Sequence, residues 1–281
     1  MWQMKDQMSL KLNKINLLIL GKPNSGKSTL FNFLCKNELS PTGDEYGLTK
    51  ENYSSEFKYN NHIFLISDTP GLRRKNKISN KDEEARNKKT LSILRKVDVV
   101  LLLIDSIENI TRQDFRLLDN AIHKKKIIFT VFTKFDLVDD KKKYRKNTLS
   151  YLNNNFSNHN EINVEFISVH NRLNVNKLLK IIIEKINLLP IRIPKKDIKK
   201  FTNKLLKENR FPKQKGVSIK SKYVVQTDLA FPSFKIFLNT NKKVSQNYIN
   251  FFTKEFRDYF KLIGIPLNLT FMRSKNPYQI K

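Results

Sequence analysis

Eight residues near the N-terminus, Gly21-Lys22-Pro23-Asn24-Ser25-Gly26-Lys27-Ser28, have the types and spacing to hold a polyphosphate. Two glycines let the backbone bend so that successive N–H groups point at one anion. A helix starting here would add its partial positive charge to the same spot. Lys27 can reach the β and γ phosphates, and Ser28, followed by Thr29, can ligate Mg²⁺. Some forty residues on comes Asp68-Thr69-Pro70-Gly71-Leu72. Asp68 can hold Mg²⁺ through a water, and Gly71 can offer its N–H to a γ-phosphate, which would order the loop that follows. Between the two, Thr49 could complete the Mg²⁺ shell with its hydroxyl. A third set, Thr133-Lys134-Phe135-Asp136, could read a purine. Asp136 would accept two hydrogen bonds from guanine N1–H and the 2-amino group, and Lys134 would cover the base with its stem. Adenine would leave that carboxylate unpaired, a penalty of roughly 1–3 kcal/mol or more. In Ser168-Val169-His170, backbone N–H groups could meet guanine O6, and His170 reads as a solvated loop residue.

These residues can act together only if a fold brings them to one edge. The chain supplies apolar runs at 15–20, 62–67, 97–104, 126–132 and 162–167, with a short one near 54–59. Amphipathic segments at 27–36, 82–96, 111–123, 142–155 and 174–187 alternate with them. This alternation predicts an α/β domain with a mainly parallel sheet. In such sheets, functional loops collect at the carboxyl ends of the strands, and each motif above follows a strand or a phosphate loop.

GKPNSGKSTLFN, GLTKE, DTPGLRRKNK, TKFD and ISVH together resemble the five guanine-nucleotide motifs of translation-associated P-loop GTPases. The nearest resemblance is to the second GTPase domain of the EngA/Der ribosome-assembly GTPases. The stretch from Asp105 to Asp114, DSIENITRQD, resembles the same family. The resemblance implies an α/β P-loop GTPase domain with a mainly parallel sheet over 14–190, preceded by an extension over 1–13. Two departures stand out. Thr133 replaces the usual Asn, which would loosen the tie to the phosphate loop, and Ser168-Val169 replaces Ser-Ala. Leu72 lies where Ras-like proteins carry a water-orienting glutamine. The resemblance therefore implies electrostatic catalysis around the γ-phosphate by Lys27, Asn24, Thr49 and Gly71, with Mg²⁺ and a K⁺ ion held by Asn24.

Pro190 and Pro194 mark a boundary, and residues 191–281 read as a small α+β domain. The predicted order is a helix over 195–209, a strand through Val217–Val225, a strand with Phe234, Ile236 and Leu238, a helix over 245–261, and a strand with Leu267, Leu269 and Phe271. Tyr248, Phe252, Phe256 and Tyr259 fall at helical spacing, which favours core over base stacking. Lys222-Tyr223, Gln226, FPSF over 231–234, Asn239, Gly264-Ile265-Pro266, Arg273 and Asn276-Pro277-Tyr278 resemble the KH-like domain that ends EngA/Der proteins. The G-x-x-G loop by which KH domains clamp single strands is not among these residues. The family carries two GTPase domains in tandem and this sequence has one. The absent first domain reads as a natural short form or as a fragment.

Charge bears on partners. The chain carries 54 Lys and Arg against 26 Asp and Glu, net +28. Residues 191–281 hold 21 basic and 5 acidic side chains. Such an excess attracts polyanions and repels a second copy, which predicts a monomer with nucleic acid as the first candidate partner and an acidic membrane surface as the second. A Lys- and Asn-rich genome composition would raise the charge without any such partner. The candidate RNA contacts are Arg73, Arg74, Lys75 and Lys77, in a loop that would move with the nucleotide, and Lys220, Lys222, Arg273 and Lys275. Cys35 is the single cysteine, which excludes an internal disulfide and fits a reducing compartment. No apolar stretch approaches the ~20 residues of a membrane span, and the first 14 residues lack the apolar core of a secretory signal. These features predict a cytoplasmic protein with no stable membrane association, an organellar matrix remaining open. The expected activity is GTP hydrolysis coupled to binding of ribosomal RNA and a ribosomal subunit, the large one by resemblance. A nucleotide-gated RNA scaffold with little hydrolysis, or a GTPase of tRNA modification, are the alternatives.

Overall fold

The strands Val99–Asp105 (β4) and Ile127–Thr133 (β5) are apolar apart from Asp105, Thr130 and Thr133, and every residue in both is buried. Strands without alternation must be covered on both faces, as in a parallel sheet flanked by helices. The computed structural model describes residues 13–35, 53–67, 93–208, 211, 213–214, 217–229, 231–241 and 243–273. The chain forms two compact units, Met1–Tyr144 with Val164–Leu179, and Arg145–Asn163 with Lys180–Lys281.

The first unit is built on a six-stranded sheet. Asn13–Gly21 (β1), Tyr53–Tyr59 (β2), His62–Ser67 (β3), β4, β5 and Ile162–Phe166 (β6) lie in the order β2-β3-β1-β4-β5-β6. β1 runs parallel to β3 and β4, and β4 parallel to β5. The hairpin pair β2–β3 is antiparallel, and its turn uses Asn60 and Asn61, both at positive φ. Asn tolerates that conformation, and it matches the twist of a two-residue hairpin. The chain moves to one side of β1 for β3 and to the other for β4. The carboxyl end of β1, at Gly21, is therefore the topological switch point of the sheet.

Helix α1, Lys27–Cys35, follows β1 and buries Leu30 and Leu34. Helix α2, Arg112–His123, opens with a capping box between Thr111 and Asp114 and buries Leu118 and Ala121. Helices α3, Lys141–Asn155, and α4, Val175–Asn187, flank β6 in sequence. The expected helix over 82–96 falls largely outside the described residues, of which 93–96 are helical. Among the described residues, no helix is long and apolar enough to cross a membrane.

In the second unit, Ser221–Asp228 (β9), Ser233–Leu238 (β10) and Asn268–Met272 (β11) form a sheet in the order β11-β10-β9. A short antiparallel pair, Lys213–Gln214 (β7) and Val217–Ser218 (β8), precedes it. The expected continuous strand through 217–225 is thus broken at Ile219-Lys220. The Asn239 side chain causes the break: its Oδ1 accepts from Lys220 N at 2.9 Å, and its Nδ2 donates to Ser218 O at 3.4 Å. Gln226 clips the incoming chain in the same way, accepting from Ile193 N at 3.0 Å and donating to Ile191 O at 2.5 Å. Both motif residues therefore shape the backbone.

Helices α5, Lys195–Lys207, and α6, Gln246–Phe260, cover one face of this sheet through Ile198, Phe201, Leu205, Tyr248, Phe252 and Phe256, all buried. Phe201 meets Phe252 and Phe256 edge-on at 5.6 and 5.4 Å. The aromatic stripe is core, as its spacing predicts, with Tyr259 alone exposed. Arg257 is buried beside that stripe. Its guanidinium donates to Leu262 O at 2.8 Å and Ile265 O at 2.6 Å and pairs with Glu161. Burial pushes the Glu161 carboxyl up and the arginine down, and the charge of each partner opposes the shift of the other. The periodicity gave no sign of this pair.

Candidate functional site

The loop between β1 and α1 is strained into an open shape. Gly21 has φ +146°, and a Cβ there would lie 2.5 Å from the Leu103 carbonyl oxygen on β4. Gly26 has φ +86°, and Asn24 also takes a positive φ of 65°. Only glycine meets the first condition, so the sequence dictates the close approach of the loop to the sheet. Leu30 N donates to Gly26 O at 2.9 Å as the first helical bond. The amides before it point out of the helix N-terminus with no intrahelical acceptor.

Lys27 is half-buried, and its ammonium donates to the Lys22 carbonyl of the same loop. Burial pulls its pKa below the ordinary lysine value, and among the described residues no carboxylate pairs with it. A desolvated cation beside open amides is what a polyphosphate neutralises. Lys22 is held differently, by an ion pair of 2.8 Å to Asp114, a carboxylate only 1% exposed in the first turn of α2. Asp114 also accepts from Thr111 N at 2.8 Å. One residue thus caps a helix and pins the phosphate loop.

Thr133 fixes the same loop from the other side. Its Oγ1 lies 2.9 Å from Ser25 O and 3.2 Å from Ile104 O, with the side chain buried. The looser tie expected of Thr133 is therefore a real tie, made by one short hydroxyl where a longer amide would reach further.

The loops after β4, β5 and β6 are stitched together. Ser106 N donates to Thr133 O at 3.0 Å, and Phe135 N to Ile167 O at 3.0 Å. Phe135 is buried, with its ring 5.2 Å from that of Phe166. It anchors a single helical turn, Phe135–Leu137, that carries Asp136 half-buried at its surface. Lys134 has a left-handed φ of 52°, and its ammonium pairs at 2.5 Å with Asp105, the last residue of β4. Among the described residues nothing hydrogen-bonds the Asp136 carboxylate. Ser168 N is committed to Leu173 O at 3.1 Å, and Ser168 Oγ accepts from Asn171 N at 3.2 Å. Of the three amides of Ser168-Val169-His170, those of Val169 and His170 have no acceptor among the described residues and are left for a ligand. His170 is exposed.

The structure thus brings Gly21–Thr29, Thr133–Asp136 and Ser168-Val169 to the carboxyl ends of β1, β5 and β6. Thr49, Asp68, Thr69, Pro70, Gly71, Leu72, Arg73, Arg74, Lys75, Lys77 and Lys275 lie outside the described residues. Lys220, Lys222 and Arg273 are exposed on the second unit. Sequence reasoning gave no role to Asp105 or Asp114. The strand-end rule that pointed to Asp136 points equally to Asp105. The Lys22 partner of Asp114 lies 92 positions away in the sequence and had no local sign.

Residues 16–134 match the family model of 50S ribosome-binding GTPases, and residues 192–272 that of the KH-like domain at the C-terminus of EngA bacterial GTPases. The fold and these matches define a P-loop GTPase domain joined to an EngA-type KH-like domain. GTPase Der of Rickettsia typhi is 30% identical over 268 residues, which is 94% of this chain and 60% of that protein. GTPase Der of Rickettsia rickettsii (strain Sheila Smith) is 30% identical over 273 residues, 96% of this chain and 61% of that protein. The chain spans about three-fifths of the length of the curated relatives it matches. Among solved structures, Era in complex with MgGDPNP and nucleotides 1506–1542 of 16S ribosomal RNA is 20% identical, with 95% of both chains covered and a TM-score of 0.47.

The Thr133 tie can be measured directly. Thr133→Val keeps the shape and removes the donor, leaving the buried Ser25 carbonyl unpaired at a cost of about 1–3 kcal/mol. Urea unfolding followed by circular dichroism should show that loss in Thr133→Val and recover most of it in Thr133→Ser. An unchanged midpoint in the valine variant would show that the hydroxyl contributes nothing.

Proposed function

We propose that the protein is a guanine-nucleotide switch that binds and hydrolyses GTP and, in its GTP state, docks on ribosomal RNA to assist assembly of a ribosomal subunit, the large one. The observation that carries the nucleotide reading is Lys27. It is an ammonium with no carboxylate partner among the described residues, half-buried among open amides at the switch point of the sheet, on the same edge as Asp136. An isolated, partly desolvated charge is costly unless an anion completes it. Asp136 complements this, because a half-buried carboxylate awaiting two donors selects guanine over adenine. The names of the Der relatives support the same reading.

The residues present fit Mg²⁺. Ser28 lies in the first turn of α1 with its side chain exposed, and supplies one hard oxygen next to where phosphate oxygens would lie. Asp68 and Thr49 are its expected companions. Magnesium, when bound, neutralises charge on the β and γ phosphates. The chain contributes the rest: amides of the loop orient the phosphates and Lys27 stabilises charge as the γ-phosphoryl leaves, with Gly71 the expected source of a further N–H. Asn24, exposed at the tip of the loop, offers its side-chain oxygen to K⁺. The excess of 21 basic over 5 acidic side chains in residues 191–281 supports an RNA partner bound through phosphates.

Calorimetry in Mg²⁺ should give binding of GTP and GDP. Asp136→Asn should weaken GTP by about 10- to 100-fold and favour xanthosine triphosphate, since the amide presents a donor to the purine edge. Equal affinity for ATP and GTP in the parent protein would overturn the base assignment. Hydrolysis should be faster in K⁺ than in Na⁺, and Asn24→Ala should erase the difference, whereas equal rates in both salts would remove the K⁺ ion. Sedimentation with ribosomal subunits should show retention with a GTP analogue and release with GDP. The logarithm of affinity should fall linearly with that of salt concentration. Retention indifferent to both nucleotide and salt would refute the gated, phosphate-directed docking.

A further inference from the structure

The second unit's sheet has two unlike faces. One faces the helices through Phe234, Ile236, Leu238, Val224, Leu269 and Phe271. The other is open. The strand registers place Tyr223, Phe237 and Met272 in one row across β9, β10 and β11, and Val225, Lys235 and Thr270 in the next. Tyr223 is 52% exposed and Val225 42%. Tyr223 and Phe237 stack with centroids 4.3 Å apart and planes 19° from parallel. β9 is an edge strand, Phe237 lies against one face of the tyrosine ring, and Tyr223 keeps half its surface exposed.

Charge gathers at the same end. Lys220 immediately precedes β9, Lys222 lies within it next to Tyr223, and Arg273 follows Met272; all three are exposed. The one acidic residue in the three strands, Asp228, lies at the far end of β9. A second copy of this basic chain would meet these cations with its own, and an apolar protein partner would not select them. A base stacked on an aromatic ring, with its phosphates on neighbouring cations, uses both features at once.

We propose that this face is a stacking site for unpaired bases of single-stranded RNA, with Tyr223 receiving a base on its free ring face, backed by Phe237 and Met272, and Lys220, Lys222 and Arg273 holding the flanking phosphates. It rests on the reading that the second unit binds RNA, and it gives that binding a preference for unpaired strands without a G-x-x-G clamp. Duplexes have no free base faces and meet only the cations.

The test uses the full chain and two labelled RNAs, a structureless single strand of about 10 nucleotides and a duplex of the same length, in fluorescence anisotropy titrations. Tyr223→Ala should weaken the single strand by roughly 5- to 100-fold and leave the duplex unchanged, while Tyr223→Phe keeps parent affinity for both. Lys222→Ala combined with Arg273→Ala should weaken both RNAs together. Unchanged duplex binding also reports that the alanine variant is folded. Equal single-strand affinity in Tyr223→Ala and the parent overturns the stacking site while leaving RNA binding intact. Absence of binding to either RNA by the parent overturns the reading beneath it. Parent protein that sediments as a dimer, dissociated by Tyr223→Ala, assigns the face to self-association and refutes the proposal.

Discussion

A phosphate loop must keep its amides pointing into empty space while no phosphate is there. The interaction that meets this constraint is the hydrogen bond from the buried Thr133 hydroxyl to the Ser25 carbonyl. It turns a loop carbonyl away from the anion side and fastens the loop to the end of β5. The Asp114 carboxylate does the same for Lys22, drawing a charged side chain off the phosphate face. What is left facing the cradle is Lys27 with the first-turn amides of α1. Two anchors outside the loop therefore decide which of its groups meet the ligand.

The same fastening joins phosphate recognition to base recognition. Thr133 begins the segment whose fourth residue is Asp136. Its own carbonyl accepts from Ser106 after β4, while Phe135 bonds across to Ile167 after β6. Three strand ends thus form one hydrogen-bonded seam. Asp105 adds a further stitch by holding the Lys134 ammonium, which leaves the aliphatic stem free to lie along a base. A displacement of β5 would move both the loop anchor and the Asp136 carboxylate, so the spacing between them is set by the backbone of one strand end and by a single short, buried hydroxyl.

Much of this arrangement was legible in the sequence, for a physical reason. Buried strands need uninterrupted apolar runs, and β4 and β5 supply them. Once the strands are placed, the strand-end rule locates Gly21, Asp136 and Ser168 without further information. The aromatic stripe of α6 was legible as core because 3.6-residue spacing puts Tyr248, Phe252 and Phe256 on one face. The long-range polar pairs were not legible. Lys22 with Asp114, Lys134 with Asp105, and Arg257 with Glu161 join residues between 29 and 96 positions apart, and nothing local specifies a partner at that distance. The break at Lys220 escaped for a related reason. Alternation in Val217–Val225 reads as one strand, but Asn239, from a different strand's end, pulls the backbone out of register. The outward-facing set changes further on, at the register shift opposite Phe237 and Leu238, which skips Lys222 and leaves Tyr223 and Val225 exposed and Val224 inside.

Tyr223 and Phe237 are consequential because charge alone cannot choose among RNAs. Every RNA carries the same phosphates, and a chain of net +28 attracts all of them. Discrimination requires contact with something that differs between paired and unpaired segments, and the difference nearest to hand is whether a base face is free. Long stems such as lysine hold phosphates at variable distances and adapt to either form. A ring fixed on a strand and backed by a second ring is available only to a base that has left its stack. On the proposed reading, the cations of the second unit would set how strongly it is drawn to RNA, and the two rings on the open sheet face would set which part of the RNA it prefers.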